Sequence, residues 1–124
     1  MSDKKFKVRS PLGYVVECFS ATWENHIIKG HPIMEKNEQA VRDTIKDPDV
    51  VYDSNQHPQK RSVYYCKTDT ATYGKSLWTT VVIDNPDKYN ETGNVVTAWP
   101  TKKISDSNKE GGELYVKDKH GLSE

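Results

Sequence analysis

The chain is poor in the features that most quickly assign a protein to a class. Its formal net charge is zero, with 18 Lys and Arg against 18 Asp and Glu, so no global field pulls it toward nucleic acid or an anionic membrane. Any RNA binding must come from a local patch. There are two cysteines, Cys18 and Cys66, with no CxxC pair and no histidine near them at metal-ligand spacing, which reads as two free thiols in a reducing compartment. No apolar stretch approaches the roughly 20 residues that a membrane span needs, and residues 1–5 lead into an alternating strand pattern instead of an apolar signal core. The expectation is a cytoplasmic protein with no membrane partner. A Gly-rich phosphate loop, GxSxG and HExxH are all missing, which sets aside P-loop nucleotide hydrolysis, α/β-hydrolase chemistry and zincin proteolysis.

What is present suits one small domain. Only 34% of the 124 residues are hydrophobic, but Val, Ile, Trp and Tyr fall in periodic runs, which argues against disorder throughout. Residues 6–9 and 14–19 are β-rich and are separated by Ser10-Pro11-Leu12-Gly13, a tight-turn sequence. They predict an opening hairpin. Ser20 or Thr22 can cap a following helix whose buried stripe is Trp23 and Ile27, ended by Gly30 and Pro32. A second helix is predicted over 37–47 from Val41 and Ile45, one turn apart, and from Glu38 placed to pair with Arg42. Four strands follow at 50–53, 62–67, 77–84 and 95–99. The order predicts an α+β fold in which a β-hairpin and two helices pack on an antiparallel sheet of about four strands, forming one domain over 1–105. Residues 106–124 read as a polar, flexible C-terminal tail, with Leu114-Tyr115-Val116 as the one cluster able to add a short edge strand.

Candidate chemistry centres on Trp23-Glu24-Asn25-His26-Ile27-Ile28-Lys29-Gly30-His31-Pro32, because histidine is the side chain best able to give or take a proton near neutrality. On one continuous helix His26 and His31 would lie about 140° apart, so they are not a metal pair by spacing. A break at Gly30 and Pro32 would let His31 leave the helical path. Strand alternation puts Ser62, Tyr64 and Cys66 on one face and Arg61, Val63 and Tyr65 on the other, and places Thr97 with Val95 and Trp99. Lys29, Lys60, Arg61, Lys102 and Lys103 interleave with Tyr64, Tyr65, Trp78 and Trp99. Arg can clamp a phosphate with two parallel hydrogen bonds, and flat rings can stack on bases. Taken singly, each of these residues has an ordinary structural use. Only their combination points to chemistry on RNA.

Five ordered elements carry a resemblance to a known family: Trp23, His26, Ile27, His31, Pro32 and Met34; Asp47-Pro48-Asp49-Val50-Val51; Arg61, Tyr64 and Tyr65; Thr80-Val81-Val82-Ile83; and Val95-Val96-Thr97-Ala98-Trp99. Together they resemble the phage-associated branch of the nuclease superfamily named for its barnase, EndoU, colicin and RelE members, over roughly residues 20–105. The resemblance implies a metal-independent endoribonuclease, toxin-like or phage-related, that needs no cofactor. It implies His26 or His31 as the proton-transfer residue, Arg61 as phosphate clamp, Tyr64 or Tyr65 as donor or stacking group, and Thr97 as phosphate ligand. Lys29, Tyr65, Trp99 and Lys102 would contact substrate. RNA, including tRNA or ribosome-associated RNA, is the implied partner, together with a cognate inhibitor protein. Two other readings stand beside it: an inactive RNA- or protein-binding module of the same fold, and an immunity or antitoxin-like interaction protein.

Overall fold

A computed structural model describes residues 3–117. The chain is α+β, built on one seven-stranded mixed sheet in the order β1-β2-β6-β5-β4-β3-β7. Strand β1 (Lys4–Arg9) and β2 (Val15–Phe19) form the expected antiparallel hairpin. Its turn is closed by Ser10 and Tyr14 backbone groups at 2.8 Å, with Gly13 at φ 100°, a conformation open to glycine at no steric cost.

The helical layer follows. Helix α1 (Ser20–Thr22) has no side-chain cap, contrary to the role expected of Ser20 or Thr22, and runs directly into a π-helical turn over Trp23–Ile28. Trp23 and Ile27 are nevertheless the residues that turn buries. A 3₁₀ turn, Pro32–Lys36, then seats Met34 in the core. Helix α2 (Glu38–Lys46) matches expectation closely: Val41 and Ile45 are fully buried, and Arg42 meets Glu38 at 3.1 Å. The pair is partly exposed and contributes a few tenths of a kcal/mol, whereas burying one such aliphatic side chain contributes about 1.5–3 kcal/mol. Packing therefore holds this helix in place.

Strands β3 (Val50–Asp53), β4 (Arg61–Thr68), β5 (Leu77–Asp84) and β6 (Gly93–Thr101) form an antiparallel meander, the predicted four-stranded unit. A short helix, α3 (Thr70–Tyr73), joins β4 to β5. The sheet is larger than predicted because two further pairings extend it. Strand β2 pairs parallel with β6 through Val16–Gly93 and Glu17–Asn94, which brings the hairpin into the same sheet. A β-carbon at Gly93 would come within 3.1 Å of both Ile83 Cγ2 and Tyr14 Cε1, so any larger residue there needs those side chains to give by a few tenths of an ångström. At the other edge, β7 (Glu113–Val116) pairs antiparallel with β3.

That second pairing corrects the reading of 106–124 as a flexible tail. From β6 the chain crosses the sheet through residues 102–112, including helix α4 (Asp106–Lys109), and docks as an edge strand. The part of the expected tail at 118–124 lies outside the described residues. Among the described residues, no helix is long and apolar enough to cross a membrane.

The sheet has two unequal faces. One carries the main core, where Phe6, Val16, Val51, Tyr64, Val81, Ile83 and Ala98 meet Trp23, Ile27, Met34, Val41 and Ile45 of the helical layer. The other carries a smaller cluster of Val50, Tyr52, Val63 and Tyr65, against which Trp78, Val82 and Ile104 of the crossing segment pack. The rest of this second face is open, and the candidate site lies there.

Candidate functional site

Alternation along β4 sends Arg61 and Val63 to the second face, and register sends Val82 and Thr97 beside them. One expectation fails at this point. Val95 does not share a face with Thr97: it pairs with Ile83 and is buried in the main core, because Val96 is an extra residue between the Val82–Thr97 and Ile83–Val95 pairs. A bulge of this kind resets which side chains point where. Here it leaves Val96, Thr97 and Trp99 all lining one concavity.

That concavity has a volume of ≈ 410 Å³, within the range of small-ligand sites. Its floor is Arg61, Val63, Val82, Val96, Thr97 and Trp99. Ser54, Gln56 and His57, from the β3–β4 loop, form one wall, and Ser105, Ser107 and Asn108, from the crossing segment, form the other. Among the described residues, no carboxylate lines it. Arg61 is oriented from the side by Asp84, with Nε donating to Oδ1 at 2.8 Å, a bond that leaves the two terminal nitrogens of the guanidinium for another anion. Thr97 lies across β5 from Val63, two residues along β4 from Arg61, so the two backbones are about 12 Å apart on the diagonal, a span that a long Arg side chain and one phosphate-sized group can bridge together.

The imidazoles predicted from sequence fall in different places. His31 leaves the helical path as Gly30 and Pro32 suggest, and its ring stacks on Trp99 with centroids 6.4 Å apart and planes 24° apart. It is not itself a lining residue, and flanks the concavity through Trp99 of its floor. His26 is exposed on the π-helical turn and Lys29 is exposed at its end; neither is among the lining residues. Lys102 is exposed where the crossing segment leaves β6.

The two tyrosines separate by face. Tyr64 lies fully buried on the helix side, its hydroxyl 2.6 Å from Ser10 Oγ and 2.9 Å from the Tyr14 hydroxyl. Burial raises its pKa above the ordinary phenol value, so it is a structural hydrogen-bonding group and has no access to the concavity. Tyr65 is on the correct face but is covered by the crossing segment, its hydroxyl accepting from Asn108 Nδ2 at 2.5 Å. Six polar lining residues carried no site signal in the sequence, Ser54, Gln56, His57, Ser105, Ser107 and Asn108, and of these His57 alone is an imidazole. The loop signal of Ser54-Asn55-Gln56-His57-Pro58 was legible, but the face toward which the loop folds was not.

The thiols offer no rival site. Burial, reinforced by Asp49 and Asp47, pushes Cys66 up to about 11, and burial with Glu38 nearby pushes Cys18 up to about 12. Both shifts run against thiolate nucleophilicity. They also set a pH dependence of stability. In the unfolded chain these thiols ionise near 9, so the folded state binds more protons above that pH and loses stability as pH rises from about 9 to 12. The urea midpoint is expected to be level from pH 7 to 8.5 and lower at pH 10.5, with Cys18→Val reducing the drop.

No family model, curated protein or solved structure matches the chain.

Proposed function

We propose that this α+β domain is a metal-independent ribonuclease that cleaves RNA by attack of a 2'-hydroxyl on the adjacent phosphorus at the Arg61–Thr97–Trp99 concavity. One observation carries the reading. A cation, a hydroxyl and an indole from strands far apart in sequence line a single nucleotide-sized recess, with a histidine packed against the indole. In this role Arg61 and Thr97 stabilise charge developing on the phosphoryl oxygens, Trp99 stacks on a base, and His31 moves a proton. With no carboxylate lining the recess among the described residues, proton transfer is assigned to imidazole.

The test is incubation of the purified protein with total RNA or tRNA in EDTA. Wild type is expected to release fragments ending in 2',3'-cyclic phosphate, and His31→Ala to be about a hundredfold slower, at the lower end of general acid–base contributions. His26→Ala is expected to match wild type. Tight RNA binding without cleavage would select the binding-module reading instead. Inertness toward every RNA, with no binding, would remove both.

A further inference from the structure

We infer that His57 is the second proton-transfer residue of this cleft, an assignment that rests on the ribonuclease reading and completes it. Cleavage by a neighbouring hydroxyl forms the O2'–P bond as the P–O5' bond breaks. One group takes the 2'-hydroxyl proton, and another gives a proton to the departing 5'-oxygen; water then restores both. A single histidine leaves half of this exchange to solvent. His31 flanks the concavity at its β6 side through Trp99, while His57 stands on the wall carried by the loop into β4, four residues ahead of Arg61.

The loop holds the His57 backbone close to that of Arg61. Ser54 Oγ accepts from the His57 backbone N–H at 2.9 Å, and the His57 carbonyl accepts from the backbone of Lys60 and of Arg61, each at 3.1 Å. The Ser54 N–H donates to the Arg61 carbonyl at 3.0 Å. Gln59, at φ 65°, donates its backbone N–H to Asp53 Oδ1 at 2.9 Å, and Asn85 Nδ2 donates to the Gln59 carbonyl at 3.1 Å. A loop tied this heavily to β4 and to the end of β5 fixes the His57 backbone on this wall and leaves the ring free to turn toward a bound substrate. The His57 ring itself is exposed, with no protein hydrogen-bond partner among the described residues, as a group that exchanges protons with substrate and water requires. Arg61, with its partner Asp84, shares the lining with His57; Asp53 and Lys60 stand at the two ends of the same loop, and the opposite wall contributes the uncharged Ser105, Ser107 and Asn108.

The experiment compares wild type, His57→Ala and His57→Gln on one short RNA in EDTA across pH. Alongside it, the His57 ring proton is followed by NMR as uridine 3'-monophosphate is added. For both variants we expect kcat to fall about a hundredfold with KM within a few-fold, one limb of the bell-shaped pH–rate profile to disappear, and added imidazole to restore part of the rate to His57→Ala. The ring proton should shift with the nucleotide. Because the residue is exposed, both variants should melt with wild type. Active wild type with His57 variants within twofold of it, or a parallel fall at all pH values, overturns the assignment and leaves the ribonuclease reading standing. Inert wild type overturns both.

Discussion

Arg61→Ala is expected to lower RNA cleavage about a thousandfold while leaving the fold intact. The size follows from what the residue would do. A preorganised donor aimed at charge that develops in the transition state is typically worth 10² to 10³ in kcat, and a guanidinium brings two such donors in a fork that fits a phosphate. Stability should barely move, because the partner it abandons, Asp84, has a half-exposed side chain, and exposed ion pairs contribute about 0–1 kcal/mol. Arg61→Lys separates charge from geometry. Lysine keeps the cation but loses the planar fork and the Nε–Asp84 bond that orients it, so it should recover binding of a 3'-nucleotide more than it recovers kcat. Single-turnover rates and nucleotide titrations on the same samples read the two apart. An Arg61→Ala variant that melts with wild type and cleaves at the wild-type rate would show that the concavity is not where RNA reacts.

How much of this was legible in sequence depends on how local each determinant is. Val41, Ile45, Glu38 and Arg42 declare α2 within nine residues, and the alternation of Arg61, Val63 and Tyr65 declares the second face of β4 within five. Both were readable because period and face are properties of a single element. The placing of Thr97 and Trp99 on one face of β6 was readable for the same reason. The failures all involve partners remote in sequence. Nothing in Val15–Phe19 announces a parallel partner in β6, and the extra residue at Val96, which moves Val95 into the main core, is a matter of register against β5. His57 sits in a stretch whose composition says only that the chain turns. Its use depends on which face that turn overhangs. The π-helical turn is a further case: Trp23 and Ile27 are buried as their spacing suggests, but the widened geometry that precedes His31 has no counterpart in a hydrophobic pattern.

The crossing segment was the least legible element, and Gly111 explains why it docks at all. A β-carbon there would lie 1.9 Å from the Asp53 carbonyl oxygen and 2.9 Å from its carbon, while Asp53 donates its backbone N–H to the Gly112 carbonyl at 2.9 Å. Two backbones therefore touch with no room for a side chain, and Gly112 follows at φ 92°. Gly111→Ala must push the segment away from β3, since a carbonyl in a paired strand cannot yield by that distance. Overpacking of this kind costs about 1–3 kcal/mol, and the loss of the β7 pairing and of the Asn108–Tyr65 bond adds to it. The expected result is a protein that melts several degrees lower, with fast amide exchange along β7. Gly30→Ala, with open space around its β-carbon, is the neutral comparison. Arg61 and Thr97 belong to β4 and β6, so the displaced segment should take away one wall of the cleft and leave its floor. Cleavage is then expected to persist within about tenfold of wild type, with the larger change in KM. Abolition of cleavage by a Gly111→Ala protein whose β4 and β6 amides remain protected would instead place an essential group on Ser105, Ser107 or Asn108.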